Sequence, residues 1–134
     1  MSNYILDTNT CIYWLKGREE IRRKIEEVGT DNLRITIITL AELRFGAYNS
    51  KKIEDNLRNI DNFLKKIPII YLSENAADKF GKIKVDLRKS GKVIDDFDIL
   101  IGAITLQEND ILVTNNTEHF KRIEGLTFEN WVQN

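Results

Sequence analysis

Cysteine, proline, histidine and methionine each occur once in the 134 residues. A single cysteine, Cys11, leaves no internal disulfide to form, so nothing here relies on an oxidising compartment. One His and one Cys without ligand-like spacing disfavour a zinc site. Long apolar runs are missing too. Ile67–Leu72, one of the longest, falls far short of the roughly 18 residues that cross a bilayer. Met1–Asp7 lacks the basic segment, apolar run and small-residue cleavage site of an export signal, and the expected location is the cytoplasm. An excess of one charge is also absent. Twenty Lys and Arg stand against twenty-one Asp and Glu, for a net charge of −1, which argues against a uniformly basic nucleic-acid binder. A polyanion partner must then be held by a local patch or through a metal. No Gly-x-x-x-x-Gly-Lys loop or Gly-x-Gly-x-x-Gly turn supports an ATP or dinucleotide site. No repeat or flexible linker divides the chain, so residues 1–134 are expected to form one domain.

What is present is 42% apolar residues, in short runs alternating with longer stretches of helical period. Tyr4-Ile5-Leu6 reads as a buried strand that stops at Asp7. A helix is expected after Asn9, carrying Cys11 into the core, with Ile12 and Trp14 as candidates for a dimer surface. Ile21, Ile25 and Val28 fall at i, i+4, i+7 and mark an amphipathic helix over 18–28. Leu33 to Ile38 reads as a strand, and Thr39 to Phe45 as a helix stopped by Gly46. Ile53, Leu57, Ile60 and Leu64 mark the next helix, which Pro68 ends, and Ile69-Ile70-Tyr71 the next strand. Ser73 suits the N-cap of a helix carrying Ala76, Phe80, Ile83 and Leu87, closed by Gly91. A helix over about 95–107 is expected to bury Phe97, Leu100, Ile101 and Ile104. Ile111-Leu112-Val113 and Leu126-Thr127-Phe128 complete the strands. This alternation predicts an α/β fold whose parallel sheet is covered on both faces.

Ligands of open parallel sheets bind beyond the carboxyl ends of the strands. Asp7 and Asn116 follow strand ends, and Glu42 and Asp98 lie in first helical turns, so all four can face one crevice. Each also has a simpler account. Asp7 fits an Asx-turn or N-cap. A dehalogenase-type phosphatase would also place an acid there, but needs a second Asp where Asn9 stands. A receiver domain fits less well, because its paired acids should follow the first strand. Thr39-Leu40-Ala41-Glu42 matches a capping box, with Glu42 reaching back to the cap amide. Asp95 and Asp96 read as an N-cap and a solvated first-turn acid, while Asp98 sits at the edge of the apolar face, partly shielded from water. An Asn pair such as Asn115-Asn116 is usually a turn. Glu118 is either a first-turn acid or a further carboxylate for the crevice, and His119 reads as a surface residue. Several acids in one cleft suit Mg²⁺ or Mn²⁺, and the chemistry favoured there is phosphodiester cleavage. Lys79, Lys82, Arg88, Lys89 and Lys92, with Lys84 among them, form either a solvated face or a positive stripe able to hold a phosphate backbone.

Taken in order, Leu6-Asp7-Thr8-Asn9, Thr39-Leu40-Ala41-Glu42-Leu43, Asp95-Asp96-Phe97-Asp98-Ile99-Leu100-Ile101-Gly102-Ala103 and Leu112-Val113-Thr114-Asn115-Asn116 resemble the PIN-domain nucleases, specifically the VapC toxins of toxin–antitoxin pairs. The ordered set is specific where each motif alone is not, and it covers essentially the whole chain. The resemblance implies a three-layer α/β/α domain and Mg²⁺- or Mn²⁺-dependent endoribonuclease activity leaving a 5′-phosphate and a 3′-hydroxyl. It also implies a cognate VapB-type antitoxin, a homodimer, and a transfer or ribosomal RNA substrate. Asp7, Glu42 and Asp98 fall on the family's carboxylates, with Asp7 and Asp98 as metal ligands and Glu42 binding the metal or orienting water. Asn116 falls on a fourth position where an Asp is common, which leaves the number of metal ions open. Thr8, Asn9 and Asn115 match polar positions behind these. The alternative is a non-catalytic PIN-like module that binds RNA or a protein partner.

Overall fold

A computed structural model describes residues 3–132. Strand β1 (Tyr4–Leu6) runs into helices α1 (Thr8–Leu15) and α2 (Glu19–Val28), and a 3-10 turn at Thr30–Asn32 precedes β2 (Leu33–Thr36). Helices α3 (Ile37–Tyr48) and α4 (Ile53–Leu64) lead to β3 (Ile69–Ile70), and α5 (Glu74–Lys89) and α6 (Asp96–Glu108) lead to β4 (Ile111–Val113). The short α7 (Thr117–Phe120) precedes β5 (Phe128–Glu129). All neighbouring strands are parallel, in the order β3-β2-β1-β4-β5.

Side-chain alternation along the strands divides the core in two. Leu6, Leu33, Ile35 and Val113 pack on one side with Cys11, Ile21, Leu43 and Phe63 from α1 to α4. Ile5 and Leu112 pack on the other with Leu87, Ile99, Ile101 and Phe120. The result is the expected three-layer α/β/α arrangement. Ile12 and Trp14, candidates for a dimer surface, are half-buried and also pack against the first core, where the Trp14 ring meets Phe63 edge-on at 5.1 Å. Among the described residues, no helix is long and apolar enough to cross a membrane.

Several element limits move from their sequence-based positions. Helix α1 begins at Thr8, because the Asp7 carboxylate accepts from the Thr10 amide at 2.9 Å and caps it. Strand β2 ends at Thr36, whose hydroxyl accepts from the Thr39 amide at 3.1 Å and starts α3 two residues before Thr39. The β-branched pair Ile37-Ile38 is therefore helical, a case of tertiary context overriding propensity. Gly46 does not stop α3, which continues to Tyr48. Strand β5 lies at Phe128–Glu129, slightly beyond the expected run. Ser73 caps α5 as expected, accepting from the Ala76 amide. Phe97 does not join the apolar face of α6: it is 49% exposed, and the buried residues are Ile99 and Ile101–Thr105. That helix is enclosed on most sides, so no narrow stripe describes it.

Candidate active site

The strand order reverses direction at β1 and β4: β2 and β3 lie to one side of β1, and β4 and β5 to the other. A crevice opens at such a switch point beyond the strand ends, and it is where open α/β sheets bind ligands. Asp7 directly follows β1 and Thr114 directly follows β4, and the two strand ends are tied by the Asp7 amide donating to the Val113 carbonyl at 3.0 Å. Asp7 is only 5% exposed. Burial pushes its carboxyl above the ordinary value, against hydrogen bonds from Thr114 and Thr10, while the Asp98 charge adds to the rise. Its capping role and its place in the crevice coexist.

Glu42 lies one turn into α3, and the capping-box account of it fails. The N-cap is Thr36, so Glu42 is six residues into the numbering from the cap and cannot serve it. Its carboxylate instead accepts from the Thr8 hydroxyl at 2.5 Å, and Thr8 Oγ1 also lies 3.2 Å from Thr39 Oγ1. Half-buried, Glu42 has its pKa raised by desolvation, lowered by Thr8, and raised again by Asp98, Asp95 and Asp7. Asp98, in the first turn of α6, follows the same pattern: desolvation and Asp95 raise it, while the hydrogen bond and charge of His119 lower it. Asp95 caps the helix through the Phe97 amide and Asp96 is an exposed first-turn acid, as expected of both; Asp96 also pairs with Lys84 at 2.9 Å.

Three carboxylates from three elements thus feel one another across a partly desolvated crevice. Each is harder to ionise than a free acid, which is the condition a cation relieves. The donor set is all oxygen and suits a hard divalent ion. Among the described residues, no three acid, His or Cys side chains close on one point as a ready-made cage. Mg²⁺ keeps several waters and takes one or two carboxylates directly, so a looser arrangement fits its chemistry.

Two residues not assigned to the site by sequence belong beside it. Thr114, fully buried, sits beside Asp7 and lowers its pKa, and its hydroxyl accepts from the Asn116 backbone amide at 2.9 Å. His119 is not a free surface residue: its Nδ1 lies 3.3 Å from Asp98 Oδ2 and 2.8 Å from Asn116 Nδ2. The i, i+3 spacing of Asn116 and His119 was the available signal, since one helical turn brings such side chains together. The remaining polar candidates face solvent. Asn9 is exposed, Asn115 accepts from Asn130 at 3.2 Å, and Glu118 is exposed and paired with Lys121 at 2.6 Å. The cations of α5 do not form one line. Lys82 pairs with Asp78 on the outer face, whereas Lys84 and Arg88 share a recess with Asp96 beside the first turn of α6. Lys79 is half-buried, and Lys89 and Lys92 are exposed. A separate apolar groove lined by Ile12, Leu15, Leu43, Ala47 and Ile60 reaches the crevice at Glu42.

Residues 4–126 match the PIN-domain family model. Ribonuclease VapC2 of Haemophilus influenzae is 40% identical over 134 residues, covering 98% of this chain and 100% of its own. The tRNA(fMet)-specific endonuclease VapC of Shigella flexneri is 34% identical over 131 residues, covering 98% and 99%. A crystal structure of VapBC2 from Rickettsia felis bound to a promoter DNA fragment superposes with a TM-score of 0.90 at 37% identity, over 96% of this chain and 98% of that one. With its fold, its crevice at the strand switch point and its full-length similarity in agreement, the chain belongs to the PIN-domain family, among the VapC ribonucleases.

Proposed function

We propose that this chain is a Mg²⁺- or Mn²⁺-dependent endoribonuclease, the toxin of a VapBC-type pair. The observation that carries the reading is the convergence of Asp7, Glu42 and Asp98, with raised pKa values, at the point where the sheet reverses its strand order. Asp7 and Asp98 would hold the ion, from the end of β1 and the start of α6. When bound, a divalent ion neutralises phosphate oxygens and acidifies a water for in-line attack. Glu42, held by Thr8, would orient the attacking water and take its proton. Asn116 stands at the fourth position, where its amide can meet a phosphate oxygen. Lys84 and Arg88, at the α6 rim, are better placed than Lys82 or Lys89 to meet a phosphate backbone. The name of the Shigella relative supports transfer RNA as the substrate class. The groove at Glu42 offers apolar surface to a VapB-type antitoxin that would cover the site.

The test is cleavage of a transfer RNA pool by wild type and Asp98→Asn, with Mg²⁺ and with excess EDTA, followed by sequencing of the RNA ends. Cleavage is expected from wild type with metal alone, leaving 5′-phosphates. Metal-independent cutting, or wild-type rates from Asp98→Asn, would refute the reading. Binding without any cleavage would favour a non-catalytic module.

A further inference from the structure

We propose that His119 is a positioning residue, clamping the Asp98 carboxylate from behind so that its second oxygen is presented to the crevice. The inference rests on the reading of Asp98 as a metal ligand. His119 Nδ1 carries at most one hydrogen and has two neighbours, Asp98 Oδ2 at 3.3 Å and the Asn116 side-chain amide at 2.8 Å. If the amide donated to Nδ1, the ring nitrogen would turn a lone pair toward an anionic carboxylate. The arrangement that leaves no repulsion has Nδ1–H shared between Asp98 Oδ2 and the amide oxygen of Asn116. This exchanges the nitrogen and oxygen of that amide, an assignment made from the hydrogen-bond network. Both the neutral Nδ1–H tautomer and the imidazolium make this contact, so the clamp does not depend on the charge of His119.

The contact continues to the other side of the crevice. The Asn116 backbone amide donates to Thr114 Oγ1 at 2.9 Å, and Thr114 in turn sits beside Asp7, where it lowers the pKa that burial raises. One short segment, from Thr114 after β4 to His119 in α7, therefore lies against both Asp7 and Asp98. Outer contacts of this kind fix the orientation of ligating carboxylates and typically change metal affinity by about 10- to 100-fold when removed.

The test is calorimetric titration of the full-length protein with Mn²⁺, for wild type and for Asp98→Asn, His119→Ala, His119→Asn and His119→Gln, with thermal melts alongside. Asparagine places an amide nitrogen where the ring has Nδ1, whereas glutamine reaches the position of Nε2. His119→Ala and His119→Gln are expected to weaken Mn²⁺ binding about 10-fold, and His119→Asn to restore it. The His119 side chain is 39% exposed, so all three variants are expected to fold. Wild-type affinity in His119→Ala, or equal rescue by Gln and Asn, overturns the clamp while leaving the metal site standing. Wild-type affinity in Asp98→Asn overturns the metal site itself, and the clamp with it.

Discussion

Removing one hydroxyl tests the site more sharply than removing a carboxylate, because it leaves every charge in place. Thr8→Val deletes the donor that sits 2.5 Å from Glu42 and keeps the side-chain shape. A hydrogen bond to a charged partner contributes about 1.5–3 kcal/mol, and each 1.36 kcal/mol is about tenfold in rate. If Glu42 must be ionised and correctly turned to take a proton from water, kcat/KM should fall about 10- to 100-fold. The pH dependence gives the direction independently. Burial already raises the Glu42 pKa and the Thr8 bond lowers it, so losing that bond moves the group further up. The acid limb of the rate profile should shift to higher pH, and part of the lost activity should return in alkaline buffer. Stability should change little, since Thr8 is the first residue of α1 and the Asp7 cap is untouched. The assay is initial-rate cleavage of one RNA across a pH series by wild type, Thr8→Val and Thr8→Ser. A Thr8→Val enzyme with the wild-type rate and profile, or Thr8→Ser as impaired as Thr8→Val, would refute the reasoning.

Three further outcomes follow from the same geometry. The pKa of Asp98 is raised in the folded protein, so its ionised form destabilises the fold at neutral pH and that penalty fades as pH falls through the raised value. Asp98→Asn should therefore melt higher than wild type at pH 7 in EDTA, with the gap closing in acid; a gap that persists or reverses would contradict the assigned cause. Mn²⁺ at about 100 times its Kd should stabilise wild type by about 2.7 kcal/mol in urea titrations and leave Asp98→Asn unchanged. Equal stabilisation of both would place the ion elsewhere. On the sheet near the start of β4, Arg34 donates to Glu108 at 3.1 Å and to Asp110, whose side chain is only 5% exposed. Arg34→Met should cost about 3 kcal/mol by stranding the Asp110 carboxylate. Burial already raises the Asp110 pKa against the effect of Arg34, so the deficit should shrink as pH is lowered; a pH-independent deficit would assign it to packing.

The parts of the molecule legible in sequence are those where a local rule and the tertiary fold agree. Ser73 caps α5 because its neighbours already carry helical period, and Asp95 caps α6 for the same reason. Rules that depend on a single residue were decided elsewhere. Thr36 and Thr39 both carry a capping hydroxyl, and the choice falls to Thr36 because the β2–β3 pairing, Ile35 with Ile69 and Thr36 with Ile70, ends there and the chain must then turn. That three-residue change of cap removed Glu42 from a capping box and turned it toward Thr8. Phe97 has the right period to be buried, but it lies in the first turn of α6, ahead of the fully enclosed stretch from Ile101 to Thr105.

The sequence by itself determined the fold class, the residue types of the site and their order. Alternating strands and helices allow few topologies, and acids at strand ends and helix starts can reach only one edge of a parallel sheet. Only the tertiary structure decided which acids share the crevice. Asp7, Glu42 and Asp98 do, whereas Glu118, two residues from Asn116, turns away to Lys121. It also recruited His119 and Thr114, because contact between α7, β4 and the start of α6 depends on packing across the β1–β4 switch point, about which the spacing of residues along the chain carries no information.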